Sequence, residues 1–360
     1  MKILFDHLCF WQRYGGVPLY FSEIIKRLPP ERYILTARYS NNVYLEQLGI
    51  QIKPFLKDCT FRGKSRIEAE IGKLWTIKDI LSEKYDIYHQ THYDPFAYKW
   101  LSSKVRTVTT IHDLNFFAIP EFYPENSKLK RDMVASIGLA DHIITISQNS
   151  KSDLCKYLDY PEDKITVIYH GVDMQRFSAA SEIKDKEDYI VFVGARNKYK
   201  NFVNMIKSFA ILKQKYSSLK LYCIGTQPTY EEITLLTACG VLNDVRFMRS
   251  ADNELPNIYH NALMFVFPSF YEGFGLPILE SMASGCPVVL SGTSCFPEIA
   301  KDAGLYFEPH DVESIASEMI RLIEDSELRK AQIIKGYRRV NDFSWDVSYE
   351  KHLEVYRSLL

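Results

Sequence analysis

The chain is 360 residues long, enough for two hydrophobic cores rather than one, with 46% apolar residues, 25% charged residues and a formal net charge of -1. That balance, spread evenly over both halves, excludes a bulk polyelectrolyte of the kind that binds nucleic acid and gives no basis for electrostatic capture by a membrane. Seven cysteines, odd in number and without a C-x-x-C pair, point to reduced thiols and away from a disulfide framework or a zinc site.

In chain order, the opening MKILFDH is too short to read as a signal peptide. No apolar run approaches the roughly 18 to 20 residues that span a bilayer, so membrane contact is expected to be peripheral at most. Short apolar, β-branched runs then recur: KILFDH from residue 2, YILTAR from 33, DIYH from 86, RTVTTIHD from 106, DHIITIS from 141 and KITVIYHGVD from 164. Helix-like segments lie between them. One carries Ile67, Ile71, Leu74 and Leu81 at helical spacing, and another, SQNSKSDLCKYL, follows a candidate N-cap at Ser147. This is the alternation of βαβ units.

After GVDMQRF the stretch SAASEIKDKED has no period, and then the alternation restarts with YIVFVGA, LKLYCIG, DVRFM, LMFVFP, CPVVLS and GLYFEP. The expected organisation is α/β throughout: a Rossmann-like domain over residues 1–173, a linker over 174–188 and a second Rossmann-like domain over 189–343. The final helical segment, 344–360, is free on its residues alone to pack on either domain.

Two Rossmann-like halves suggest a dinucleotide enzyme first, but G-x-G-x-x-G after a strand is missing from both. The first turn has only the pair Gly15 and Gly16, and no Walker loop is present. VGARNKYKN says more. Arg196 and Lys200 follow a strand and precede a helix expected to start near Asn201, so two cations and a helix N-terminus are expected to converge, as they do where a diphosphate is held. Standing alone, such charges read as an ordinary solvated turn.

The stretch YEGFGLPILESMASG adds strand, glycine-rich turn and helix, with Pro277 suited to the first helical turn. Glu280 falls in an otherwise apolar helix, where a carboxylate needs a partner, and the vicinal hydroxyls of a ribose are one such partner. Glu272 precedes Gly273, Phe274 and Gly275, whose backbone can approach a ligand closely. Together these are the parts of a nucleotide-sugar site.

In their order, YGGVPLYFSEI, TIHDL, ADHIITISQNSKSDL, TVIYHGVD, VGARNKYKN and EGFGLPILESMASGCPVV resemble the family-four retaining glycosyltransferases of GT-B fold, over nearly the whole chain. The resemblance implies two Rossmann-like domains facing across a cleft, with the C-terminal helix crossing back to the first. It further implies that Glu280 holds the ribose hydroxyls and Glu272 the donor sugar, with backbone amides of Gly273, Phe274, Gly275 and Leu276 on sugar and phosphate. Arg196 and Lys200 would neutralise the leaving diphosphate, Gly15 and Gly16 would approach the same phosphates, and His112 would face donor or acceptor. Asp113 would point elsewhere on an extended chain.

No cofactor is expected, only a GDP- or UDP-linked sugar as substrate, with GDP-mannose the guess from how often relatives use it. No D-x-D metal motif appears, and the family retains anomeric configuration without an assigned protein nucleophile, the leaving diphosphate taking the acceptor's proton. Partners would be a saccharide or lipid-linked glycan acceptor at the cytoplasmic face of the membrane, and no nucleic acid. Two positions depart from the pattern: Tyr199 stands where many relatives have arginine, so Arg196 is assigned by reach, and Arg249 stands where relatives often have glycine near the base. The alternatives are a GT-B epimerase or disaccharide synthase, and a nucleotide-sugar-binding protein without turnover.

Overall fold

The computed structural model describes residues 1–50, 52, 54, 56, 59, 61–179, 187–196, 198–249 and 254–360. The chain forms two units. One comprises Met1–Phe116, Tyr123–His170 and Trp345–Leu360, the other Phe117–Phe122 and Gly171–Ser344.

In the first unit the strands are β1 (Ile3–Phe5), β2 (Tyr33–Leu35), β3 (Ile87–Gln90), β4 (Arg106–Ile111), β5 (His142–Thr145) and β6 (Ile165–Val167). They form one parallel sheet in the order β2-β1-β3-β4-β5-β6. The second unit repeats the plan with β7 (Tyr189–Val193), β8 (Lys220–Ile224), β9 (Val245–Met248), β10 (Met264–Phe267), β11 (Val288–Ser291) and β12 (Gly304–Phe307). Their order is β12-β11-β10-β7-β8-β9, again parallel. Every apolar run singled out in the sequence forms one of these strands. Several are buried along their whole length, among them Ile3, Leu4 and Phe5 of β1, because helices cover both faces of a parallel sheet. The second core gathers Phe192, Phe202, Phe209, Leu221, Met264 and Met319.

Ser147 caps its helix as expected, its Oγ accepting from the Ser150 amide at 3.0 Å. The helix Lys64–Ser82 also forms, but Leu74 and Leu81 are mostly exposed, while Thr76, Asp79 and Ile80 are buried. Within the expected linker, Met174–Phe177 is a helical turn capped by Asp173, with Phe177 buried near the Tyr259 ring of the second unit. Residues 180–186 of that linker lie outside the described residues, as do Asn197 and 250–253.

The terminal helix Trp345–Ser358 packs on Gly16–Arg27 of the first unit. Tyr20 Oη lies 2.5 Å from His352 Nε2, His89 Nδ1 lies 2.6 Å from Tyr356 Oη, and Arg27 Nε donates to Asp346 at 2.7 Å. The first two pairs are buried and tie the helix in one register, while the Arg27–Asp346 pair is exposed. The cysteines are free thiols.

Candidate functional site

In the second unit the chain runs outward from β7 through β8 to β9, then returns to pair β10 on the other side of β7. At such a reversal the turns leaving the two central strands diverge and open a ligand crevice at the carboxyl edge. Here the described residues of those turns are 194–196 with 198–201, and 268–275. They are stitched together by the Phe270 amide, which donates to the Tyr199 carbonyl at 2.9 Å.

That adjacency brings Lys200 Nζ to 2.5 Å from Glu272 Oε1, with only 15% and 13% of the two side chains exposed. The Lys200 ammonium also lies over the Tyr199 and Phe267 rings. Gly275 precedes the helix Leu276–Ala283 with φ +90°, where an added Cβ would stand 2.9 Å from Ile278 Cδ1. Glycine is needed there on both counts. The helix N-terminus therefore presents its unpaired amides beside the Lys200–Glu272 pair, a favourable place for negative charge. Glu280 sits half-buried on the same helix and accepts from the Tyr259 hydroxyl at 3.3 Å. Burial foremost, then the Glu280 charge, pushes the Tyr259 phenol well above its usual range, so it stays protonated and donates.

A third turn, after β11, was missed by sequence reasoning. Ser294 Oγ accepts from the Glu272 amide at 3.1 Å and donates to the Glu272 carbonyl at 2.5 Å. Thr293 Oγ1 donates to the Phe270 carbonyl at 3.1 Å, and Cys295 Sγ to the Phe274 carbonyl at 3.2 Å. Burial, with Glu272 next, raises the Cys295 thiol far above its ordinary value. The only signal for this clamp was its place, a small-residue GTS turn directly after a strand. Phe274 is itself buried, edge-on to Phe343 at 5.9 Å.

The expected convergence of two cations is not what forms. Arg196 Nε donates to Glu232 at 2.8 Å and Nη2 to the Thr226 and Gln227 carbonyls at 2.9 and 3.0 Å, leaving 2% of its side chain exposed. Its guanidinium lies near the Phe247 ring, and Nη1 is buried without a hydrogen-bond partner. The physical reason is proximity: the β8 turn and the capping-box residue Glu232 offer a fixed carboxylate and two carbonyls. Asn201 does stand at the N-cap of Phe202–Lys215, but its amide group donates to the Pro309 carbonyl at 2.7 Å instead of capping. Arg249 is exposed at the end of β9.

In the first unit Gly15 has φ +148°, and a Cβ there would meet Gln12 Oε1 at 2.9 Å; Gly16 opens the helix that follows. His112 stands directly after β4, its amide donating to Tyr93 Oη at 3.0 Å. The imidazole lies edge-on to Tyr20 at 5.2 Å and stacked on His170 at 6.3 Å. Its Nε2 is buried without a partner, and burial, then His92, lowers its pKa to about 3, so it is a neutral hydrogen-bonding group. Asp113 accepts from the Asn115 amide at 3.2 Å, a local turn contact. Among the described residues no group of three or more His, Cys, Asp or Glu is placed to hold a metal ion.

Two parallel six-stranded sheets of this kind define the GT-B fold. HepE of Anabaena, solved with UDP and glucose, superposes with a TM-score of 0.78 at 18% identity, covering 99% of this chain and 100% of that one. WaaG, a glycosyltransferase of lipopolysaccharide biosynthesis, gives 0.73 at 14% identity over 98% and 99%. Residues 14–176 match Glycosyltransferase Family 4 and residues 173–339 match Glycosyl transferases group 1; the chain belongs to this family of glycosyltransferases. Among curated relatives, O-antigen chain mannosyltransferase B of Escherichia coli is 29% identical over the full length of both chains. The O-antigen chain mannosyltransferase RfbU of Salmonella typhimurium is 30% identical over 57% of each.

Proposed function

We propose that this glycosyltransferase moves mannose from GDP-mannose to a saccharide or lipid-linked glycan acceptor in the synthesis of cell-surface polysaccharide, working at the cytoplasmic face of the membrane. The observation that carries the reading is the Lys200–Glu272 pair set against the N-terminus of the helix that bears Glu280. A cation and helix amides favour the diphosphate, Glu272 is within the same turn for the hexose, and Glu280 lies about one helical turn further on for the ribose. The two O-antigen mannosyltransferase relatives support mannose as the transferred sugar. The transfer retains configuration, with the departing diphosphate taking the acceptor proton, and uses no metal or other cofactor, since Lys200 and the helix N-terminus supply positive potential where the leaving group develops charge.

A ligand that binds only the folded state raises its melting temperature. With EDTA present, GDP-mannose should shift the melting temperature more than UDP-glucose, UDP-galactose, UDP-N-acetylglucosamine or NAD. A shift by NAD alone would dismiss the reading. Proton NMR of the first product formed then reports the anomer, and a β-linked mannoside would remove retention.

A further inference from the structure

The helix Lys64–Ser82 of the first unit carries its apolar residues on the outward side. A surface helix normally turns its apolar stripe to the core and its polar face to water. Here Gly72, Thr76 and Asp79 are buried beside Ile80. Thr76 Oγ1 lies 2.9 Å from His7 Nδ1 and 2.6 Å from Thr36 Oγ1, and Arg38 donates to Asp79 at 2.6 Å. A Cβ on Gly72 would stand 2.4 Å from the His7 ring, so the helix is seated closely. Those contacts fix its rotation and turn Ile67, Leu74 and Leu81 outward, 46%, 67% and 64% exposed.

The three outward residues repeat every seven positions and lie in one line about 21 Å long. With Ile71 and Lys78 they make the 4-3-4-3 spacing of a coiled-coil seam. The seam is self-complementary about Leu74. In an antiparallel pair of these helices with Leu74 on the two-fold axis, residues equally far before and after Leu74 stand level with one another. Ile67 then meets Leu81 of the partner subunit, and Glu70 meets Lys78 of the partner subunit, each contact being made twice. Both charged residues are available on the outward face: the Glu70 side chain is 65% exposed, and the Lys78 ammonium lies over the Trp75 ring at 4.7 Å.

We propose that this face pairs with the same face of a second copy of the chain, antiparallel about Leu74, with two Glu70–Lys78 ion pairs flanking the Leu74 contact. A bilayer is the poorer occupant, because a helix lying on a membrane keeps its charges on the opposite, basic face, whereas Glu70 and Lys78 stand along the apolar line itself. The pairing uses neither the glycine turn nor Glu280 and does not depend on the transferase reading.

Sedimentation velocity of the full chain tests it. A two-helix contact is smaller than a standard interface, so the dimer should dissociate with a Kd on the order of 10 µM, and loading from about 1 to 100 µM brackets that value. Wild type should pass from monomer to dimer across the range, while Leu74→Glu stays monomeric with an unchanged circular dichroism spectrum. Glu70→Lys and Lys78→Glu should each weaken the dimer tenfold or more, since each sets like charges level. Mixed in equal amounts, the two variants should form a heterodimer at least as tight as wild type, one chain supplying two lysines and the other two glutamates. A wild type monomeric at every concentration, a dimer untouched by Leu74→Glu, or no heterodimer from the mixture would overturn the pairing. So would flotation of a monomeric wild type with vesicles of phosphatidylcholine and phosphatidylglycerol that Leu74→Glu abolishes, because the face would then belong to a bilayer.

Discussion

The Lys200 ammonium rests 2.5 Å from a Glu272 carboxylate oxygen across a sequence separation of 72 residues. Two strands that neighbour each other only through the reversed strand order make the contact. With no donor bound, the cation and the carboxylate satisfy each other. On the proposed function, a diphosphate drawing on Lys200 would leave the Glu272 carboxylate open to hydroxyl donors, and one ion pair would couple phosphate to sugar recognition.

Lys200→Met should lower kcat by about 10²- to 10³-fold, the usual effect of deleting one group aimed at developing charge. It should also lower the urea midpoint, because Glu272 is left largely buried without its cation. Adding Glu272→Gln should recover the midpoint and leave activity lost. Steady-state kinetics on the two variants decides, and a kcat within threefold of wild type for Lys200→Met would dismiss Lys200.

Glu280→Gln keeps shape and still accepts from Tyr259, so the melting temperature should hold. A neutral amide is a weaker acceptor for two ribose hydroxyls than a carboxylate, and charged hydrogen bonds contribute about 1.5–3 kcal/mol. The donor KM should therefore rise roughly 10- to 100-fold with little change in kcat. An unchanged KM would place the ribose elsewhere.

Arg196→Met separates the sequence expectation from the observed contact. Removing one partner of a buried pair costs about 3–5 kcal/mol, so denaturant unfolding should show a large loss for the second unit while the donor KM of the folded fraction stays close to wild type. The reverse result, intact stability with a strongly raised donor KM, would restore Arg196 as a diphosphate ligand.

Acid should weaken the first unit before the second. Burial first of all lowers His7 and His352 to about 4 and His112 to about 3, and holds His89 and His170 well below the ordinary value. These groups bind protons in the unfolded chain but not in the folded one below pH 6.5, so stability is full above that pH and falls as pH drops towards 4. Asp6, raised to about 6 chiefly by burial, has the opposite sign, because its folded state takes up the proton first and partly offsets one histidine between pH 6 and 4. All four tryptophans, Trp11, Trp75, Trp100 and Trp345, belong to the first unit. Urea titrations read by their fluorescence should show the midpoint falling from pH 7 to pH 5, less steeply in His112→Leu; a flat profile would contradict the buried neutral histidines.

Much of this was legible in the chain. Twelve short β-branched runs separated by helical periods become twelve strands among the described residues, because fully buried parallel strands leave continuous apolar runs. The glycine turn, Pro277 and the helix carrying Glu280 were also local, since φ at Gly275 and the first helical turn depend on neighbouring residues. The terminal helix was ambiguous on its residues; Tyr20, His89, His352 and Tyr356 resolved it by pairing across long separations.

What the amino-acid order determined by itself was the set of elements and the residue types at their ends, because periodicity, capping and turn conformation act over a few residues. Partner choice was left to the tertiary structure. Arg196 and Lys200 stand four positions apart, yet the turn after β8 captures one on Glu232 and the turn after β10 gives the other to Glu272. Leu74 and Leu81 keep helical spacing but face solvent, and Ser294 clamps Glu272 from another strand. Each outcome depends on which strand lies beside which, and that is settled only when distant apolar runs pack into one sheet.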